Sequence, residues 1–272
     1  MKRSSTRAAL LTLLGVLLPG CASTPVPHAT ATTDVPSAGK FPHARFGLLL
    51  SKIVDAHGQV DYQTLEKGPA LLDEYLSEVA RVSPDSHPHL FPTEDDRLAY
   101  WINVHNACAL RAVLSLRRPA TLAGIAHRLD RETVFTVGGK SRSLLDIVDQ
   151  TRKRFPDPRV HFVFVRGRRG GPPLLPDAID PKTLDETLEK AARAFVADPR
   201  NVESVPATLT VKLNRVFLDY RDDFERQTPA TVSGAERLVT ALNRWRAPGQ
   251  GLVAAHVEAL PFDERLNEAG GH

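Results

Sequence analysis

One histidine and two aspartates are the residues of this sequence best suited to acid–base chemistry. His161 lies in the apolar run of residues 160–165, and Asp223 and Asp263 follow later in the chain. An imidazole that is hydrogen-bonded to a carboxylate can accept and return a proton near neutral pH, as hydrolases and transferases require. We therefore take His161, Asp223 and Asp263 as candidate catalytic residues.

A second group of candidates, Arg166, Arg168 and Arg169, directly follows the apolar run, with three glycines among and after them. Guanidinium groups form paired hydrogen bonds with phosphate or carboxylate, and the backbone amides of a glycine-rich loop bind the same anions. The three arginines are therefore candidate residues for binding a small anionic ligand. The favoured interpretation of the loop by itself is a surface loop whose arginines extend into solvent.

Two asparagines, Asn103 and Asn106, lie three residues apart in a long apolar segment. A buried amide must find hydrogen-bond partners, because leaving one unpaired costs about 1–3 kcal/mol. The favoured interpretation is a structural polar network that contains both asparagines and His161 and fixes their packing. The alternative joins the same residues to a carboxylate in a cluster that orients a ligand.

Charge and composition exclude several classes of function. Three of the 35 basic residues lie in the first seven positions, which leaves 32 basic against 32 acidic residues in the rest of the chain. A nucleic-acid-binding surface needs a surplus of Lys and Arg, so no nucleic-acid partner is expected. Two cysteines exclude a cysteine-rich zinc site, and there is no dinucleotide fingerprint or P-loop. We expect no metal and no cofactor.

The first 40 residues are typical of an exported lipoprotein. Residues 1–20 join a basic start to an apolar run that is shorter than the ~20 residues needed to span a bilayer, as in a signal peptide. The sequence Leu-Pro-Gly-Cys that ends at Cys21 resembles the bacterial lipobox, although an ordinary secretory signal with an incidental cysteine is the alternative. Residues 21–40 are rich in Ala, Thr, Pro and Ser, which predicts a flexible tether after a lipidated Cys21.

Ala22, after the cysteine, resembles the pattern that sorts lipoproteins to the outer membrane. The expected location is the bacterial cell envelope, with the protein anchored in the outer membrane by its N-terminal lipid and facing the periplasm. Several acyl chains on one terminus anchor a protein firmly, whereas a single chain binds only marginally.

The candidate residues must be positioned by the segment 41–268, which has regular hydrophobic periodicity and no second linker. Thr93, followed by three acids, is typical of a helix start, and the segment that follows is apolar on nearly every side. It predicts one fully buried central helix. Runs at residues 133–137, 160–165 and 209–213 predict strands. The expected fold class is α+β, a single mixed domain that is helix-rich around a small β-sheet.

Five segments resemble, in order, the family catalogued as domain of unknown function 547. Residues 100–107, Tyr-Trp-Ile-Asn-Val-His-Asn-Ala, are similar to its Trp-x-Asn-x-Tyr-Asn-Ala helix. Residues 157–162, Asp-Pro-Arg-Val-His-Phe, resemble its Pro-Arg-Ile-His-Phe strand. Residues 143–147, 220–224 and 262–267 supply the other three matches. The resemblance implies a family whose bacterial members are often exported or lipidated, and whose biochemical function is not established.

One segment departs from the family pattern. After the histidine strand the family usually reads Asn-Cys-Gly-Ser-x-Ser-Cys-Pro, whereas residues 165–172 read Val-Arg-Gly-Arg-Arg-Gly-Gly-Pro. Arg166 and Gly171 therefore replace both cysteines. Nucleophilic, redox or metal chemistry that depends on these thiols in relatives is not expected in this chain.

Two functions remain open at this point. The preferred one is a non-enzymatic envelope lipoprotein whose domain binds a protein partner or a small anionic ligand, because the sequence has no complete catalytic constellation. The alternative is a cysteine-independent hydrolase or transferase that acts on cell-envelope material with His161 and a carboxylate. A cleft that brings His161 within about 3 Å of Asp223 or Asp263 would favour the enzyme, and a His161 sealed in the core would exclude it.

Overall fold

The computed structural model describes residues 40–270 and has an α+β fold. Its α-helices are α1 (Ala44–Ile53), α2 (Tyr62–Lys67), α3 (Ala70–Arg81), α4 (Glu94–Ser115), α5 (Leu144–Arg154), α6 (Leu184–Ala197), α7 (Arg215–Asp219), α8 (Arg221–Glu225) and α9 (Gly234–Asn243). Its strands are β1 (Val134–Val137), β2 (Lys140–Ser143), β3 (Val202–Val205), β4 (Thr210–Leu213) and β5 (His256–Ala259). The predicted fold class is confirmed. The predicted signal peptide, Cys21 and the tether up to residue 39 lie outside the described residues.

The strands form two small sheets, where the sequence suggested one. β1 and β2 are an antiparallel hairpin, and in the other sheet β4 pairs antiparallel with β3 and parallel with β5. Gly138 and Gly139 form the hairpin turn with positive φ angles of 56° and 80°, which glycine adopts without steric cost. The strands predicted near residues 133–137 and 209–213 are confirmed as β1 and β4.

The long helix α4 is the centre of the molecule. It begins with a capping box, in which the Asp96 amide donates to Thr93 Oγ1 at 3.0 Å and the Asp96 carboxylate accepts from the Thr93 amide at 3.1 Å. Every residue from 98 to 110 is buried, which confirms the predicted central helix. No helix within residues 40–270, α4 included, is long and apolar enough to cross a membrane.

The strand predicted at residues 160–165 is wrong. The segment begins as a 3-10 helix, Pro158–Phe162, because a proline at its first position fits a helix start and Asp157 caps it. Beyond this turn, Asn106 of α4 donates from Nδ2 to the Val163 carbonyl at 2.9 Å, and its Oδ1 accepts from the Val165 amide at 3.0 Å. A single side-chain amide therefore satisfies the backbone groups that a neighbouring strand would have paired.

Residues 262–268, the closing segment, connect three distant parts of the chain. Asn267 accepts at its carbonyl from the Val60 amide at 2.8 Å, and Glu264 accepts from the Leu122 amide at 2.8 Å. The carbonyl of Asp263 accepts from the Gly170 amide at 2.9 Å. The loop that carries the candidate arginines is thus held in place by the last described part of the chain.

The interior consists of two hydrophobic clusters. The larger surrounds α4 and includes Val160 and Val163, while the smaller contains Phe162 together with side chains from α6, β4 and α9. The 3-10 helix therefore lies between the two clusters. His161 is placed at their junction, which is where the candidate site is found.

Candidate functional site

His161 and Asp223 form a hydrogen-bonded pair, with 2.9 Å between His161 Nε2 and Asp223 Oδ2. Their side chains are 1% and 5% exposed. Asp263 takes no part in this pair, because it lies in the closing segment, where its carboxylate accepts from the exposed Arg265 at 2.7 Å. Of the two candidate aspartates, the structure places only Asp223 against the histidine.

Further contacts hold this pair in place. The His161 ring stacks on the Tyr220 ring, with 3.9 Å between centroids and an angle of 15° between planes. Asp223 also accepts hydrogen bonds from Arg152 at 3.1 Å and from Arg226 at 2.6 Å. Within residues 40–270, Nδ1 of His161 has no hydrogen-bond partner. The imidazole is therefore fixed in orientation but keeps one nitrogen free.

Burial and hydrogen bonding set the protonation of the pair. Burial lowers the pKa of His161, although the hydrogen bond to Asp223 opposes that shift. Burial alone would raise the pKa of Asp223, but hydrogen bonds from His161 and Arg152 outweigh it and lower that pKa. At neutral pH the pair is thus a neutral imidazole and a carboxylate. We assign the imidazole proton to Nε2, which donates to Asp223, so Nδ1 has a free lone pair that can accept a proton.

His161 lies in the wall of a narrow pocket with a volume of about 30 Å³. A cavity of about 10–15 Å³ is enough for one water molecule, so the pocket admits water or a small polar group. The other lining residues are Val148, Phe164, Arg166, Arg168, Gly171, Pro172, Val216, Tyr220 and Phe262. His161 is nearly buried, yet the pocket gives small molecules access to it.

Two of the three predicted arginines line this pocket. Arg166 and Arg168 do not extend into solvent, since their side chains are 21% and 8% exposed, and both contact Asp130. Arg168 also forms an ion pair with Glu264 at 3.0 Å. Arg169 lies apart from the pocket, donating to backbone carbonyls of the closing segment. The arginine cluster of the sequence is thus divided between a pocket and a structural contact.

The backbone amides of this loop are less available than the sequence suggested. The amides of Arg169, Gly170 and Gly171 all donate to carbonyls of the closing segment or of the loop itself. Gly167 has a φ of +70°, and a Cβ there would lie 2.9 Å from Val113 Cγ2. At these positions the glycines serve close backbone packing, and anion binding would depend on the guanidinium groups.

The two asparagines of α4 have complete sets of partners in the backbone. Asn103 donates to the Ile179 carbonyl at 3.0 Å and accepts from the Ile179 amide at 2.8 Å. Asn106 holds Val163 and Val165 in the same way, just before the pocket arginines. Within the described part of the chain, neither amide is hydrogen-bonded to His161. Their geometry indicates a structural role for the two asparagines, whereas His161 pairs with Asp223 and is not part of their network.

One residue that lines the pocket and two acids that contact its arginines were not predicted from the sequence. Tyr220 precedes Asp223 by three residues, and this spacing could have indicated that both face the same partner. Asp130, on the π-helical turn Arg128–Glu132, and Glu264 carry no signal in the sequence, because tertiary packing alone brings them to the arginines.

A second pocket, with a volume of about 400 Å³, lies near the start of α4. It is lined mostly by apolar side chains, together with Lys40, His43, Asp96, Asp177 and Asp180. This pocket is larger, but it contains none of the predicted site residues. The narrow pocket is the better candidate because two arginines and the carboxylate-bonded His161 converge on it.

Among residues 40–270, no group of three or more His, Cys, Asp or Glu side chains is arranged to hold a metal ion. Cys108 is buried in α4, and burial raises the pKa of its thiol far above the ordinary value, so it is protonated at neutral pH.

Comparison with known proteins gives one match. Residues 91–196 match the family described as "Protein of unknown function, DUF547". The matched stretch contains α4, His161 and the pocket arginines, whereas Tyr220 and Asp223 follow it. No curated protein and no solved structure matches the chain. The segment 91–196 is thus similar to the DUF547 family, and the match supports the domain family that the sequence motifs indicated.

Proposed function

We propose that this protein binds a small anion in the pocket beside His161. The observation that carries the proposal is that Arg166 and Arg168 line one pocket with an imidazole of fixed orientation. Both guanidinium groups are largely removed from solvent, and hydrogen bonds between charged groups contribute about 1.5–3 kcal/mol each in such surroundings. A carboxylate or phosphoryl group is the chemistry that such donors recognise.

The test is thermal unfolding of the full chain, purified in mild detergent, with formate, acetate, inorganic phosphate or sulfate. An anion at 100 times its dissociation constant should stabilise the protein by about 2.7 kcal/mol. We expect Arg166→Gln and Arg168→Gln to abolish the rise in melting temperature. Arg265→Gln is the matched control, because Arg265 is exposed and pairs with Asp263 outside the pocket.

A rise that is the same in wild type and both pocket variants would contradict the proposal. An absence of any rise with all four anions would also contradict it, and a protein partner would then become the favoured ligand.

A second candidate function, an enzyme, is favoured by the 2.9 Å contact between His161 and Asp223. A water molecule in the pocket could lose its proton to the free Nδ1 of His161 and attack an electrophilic carbon or phosphorus of the substrate, while Arg166 and Arg168 hold an anionic group. The bond to the leaving group would then break, and the leaving group would take the proton back from Nδ1. Such a protein would be a cysteine-independent hydrolase of cell-envelope material, or a transferase if another hydroxyl replaced water.

Hydrolysis of p-nitrophenyl acetate and p-nitrophenyl phosphate tests this second function. If it holds, we expect His161→Gln to lower the rate by at least about 10²-fold, the usual contribution of a general base. The rate should also fall at low pH, at a midpoint below the ordinary histidine value, since the pKa of His161 is lowered. A rate that is unchanged in His161→Gln would exclude the enzyme.

We further propose that lipid on Cys21 anchors the mature chain in the outer membrane, facing the periplasm. The support is the basic and apolar start, the lipobox-like ending at Cys21 and the Ala22 that follows. Labelled palmitate should be incorporated by the wild type and not by Cys21→Ser in a bacterial host. Equal labelling of both proteins, or recovery of the wild type in the soluble fraction, would contradict the anchor.

A further inference from the structure

The carboxylate of Asp130 contacts both arginines of the pocket. Its Oδ2 lies 3.4 Å from Arg166 Nη1 and 3.2 Å from Arg168 Nη2. Its Oδ1 is buried and has no hydrogen-bond partner within residues 40–270. Asp130 reaches this position from the π-helical turn Arg128–Glu132, an uncommon local structure that occurs frequently at functional sites.

Two carboxylates oppose the two arginines of the pocket, and the exposed Arg215 also lies 3.4 Å from one of them, Glu264. Arg166 and Arg168 contribute two positive charges, and Asp130 with Glu264 contributes two negative charges. The neutral imidazole of His161 adds none. An incoming anion therefore does not meet two free guanidinium groups, because a carboxylate of the protein already shares them.

We infer that Asp130 determines the affinity and the charge class of the ligand in this pocket. Resting on the proposed anion-binding function, this inference narrows the ligand to a group with a single negative charge and the size of a carboxylate. Asp130 repels an anion at the arginines. Because Asp130 and Glu264 oppose the two guanidinium charges, net attraction does not offset the larger cost of removing a dianion from water. The pocket volume of about 30 Å³ favours a small group over a bulky one.

The test is isothermal titration calorimetry of the full chain with formate, a planar monoanion, and with sulfate, a tetrahedral dianion, at a fixed low ionic strength. The wild type should bind formate more tightly than sulfate. In Asp130→Asn we expect formate to bind about fivefold more tightly, the equivalent of about 1 kcal/mol between unit charges 4 Å apart in water. Sulfate, with twice the charge, should gain about 25-fold.

Glu132→Gln is the matched control. Glu132 lies on the same turn, and within residues 40–270 its exposed carboxylate pairs with the exposed His127 alone, so the substitution changes the net charge equally but leaves the pocket as it is. We expect both dissociation constants to stay at the wild-type values. An equal gain in Glu132→Gln would overturn the inference, because the effect would then come from net charge alone.

Two other results separate this inference from the proposal on which it rests. If wild type and Asp130→Asn bind formate equally, or if the wild type prefers sulfate, the inference fails while the anion pocket remains. If neither protein binds either anion, the anion pocket itself fails. Urea unfolding checks that Asp130→Asn is folded, and Asp130→Ser takes its place if its transition is not cooperative.

Discussion

At the scale of single residues, Asp223 has the largest set of charged contacts in the site. Its nearly buried carboxylate accepts from His161, Arg152 and Arg226. Both arginines are partly exposed, so water screens them and reduces the cost of leaving them unpaired. The His161 imidazole is nearly buried, so water does not reduce the cost of leaving it unpaired.

Asp223→Asn should therefore lower the free energy of unfolding by about 2–3 kcal/mol, because a neutral amide with one oxygen cannot replace the carboxylate that His161 and the two arginines share. Asp263→Asn, which removes an exposed contact to Arg265, should cost less than about 0.5 kcal/mol. Urea denaturation of both variants measures the difference. Equal costs would mean that the pair with His161 is no more than a surface contact.

Three histidines, His43, His105 and His161, make stability depend on pH. Burial lowers the pKa of His43 and of His105 from 6.5 to about 4, and it also lowers the pKa of His161. Below pH 6.5 the unfolded chain takes up protons that the folded chain does not, so the free energy of unfolding falls between pH 6.5 and about 4. Carboxylates whose pKa is lowered, such as Asp223, make the free energy of unfolding fall further at more acidic pH.

Urea denaturation at about pH 7.5, 6 and 5 measures this loss of stability. We expect His105→Gln to show a weaker dependence on pH than the wild type, because Gln cannot take up a proton in the unfolded chain. A wild type that is equally stable at all three pH values would show that the buried histidines do not control stability.

At the scale of elements, α4 acts through two asparagines that hold different parts of the chain. Asn103 holds Ile179 beside the larger pocket, while Asn106 holds Val163 and Val165 beside the narrow one. Asn103→Ala and Asn106→Ala should each lower the free energy of unfolding by about 2–4 kcal/mol, since each leaves buried backbone groups unpaired.

Anion binding distinguishes these two variants. Asn106→Ala should weaken it, because the segment that leads into Arg166 loses its anchor, whereas Asn103→Ala should retain the wild-type affinity. Ser115→Ala, at the exposed end of the same helix, controls for a general loss of helix stability. The role assigned to Asn106 would be wrong if both asparagine variants kept the wild-type affinity.

The elements also explain which features the sequence could predict. The start of α4 follows from neighbouring residues, since Thr93 and Asp96 form a capping box, and its burial follows from apolar residues on every side. The apolar run 160–165 has the pattern of a strand, but its hydrogen-bond partner is a side chain more than 50 residues away. Asp130 reaches the arginines only through tertiary packing, so no local pattern reveals it.

At the scale of the whole molecule, the DUF547 match ends well inside the fold. The larger hydrophobic cluster needs Phe46 of α1, Tyr75 of α3 and Leu266 of the closing segment, all of which lie outside residues 91–196. A fragment of residues 91–196 should therefore have no cooperative urea transition, because its apolar side chains have too few partners. The full chain should have one.

Circular dichroism in the near ultraviolet checks this expectation through the environment of Trp101, which is buried in the full chain. A fragment with the same aromatic signal and a cooperative transition would show that the matched region folds by itself.

The closing segment affects the order in which parts of the molecule can fold. Its hydrogen bonds to Val60 and its contact from Asn267 to Tyr62 join positions about 200 residues apart, and such non-local contacts form late because a long loop must first close. During synthesis, Val60 cannot form these hydrogen bonds until nearly the whole described domain has left the ribosome. If the chain is exported as proposed, this delay would keep its native state incomplete until translocation has ended.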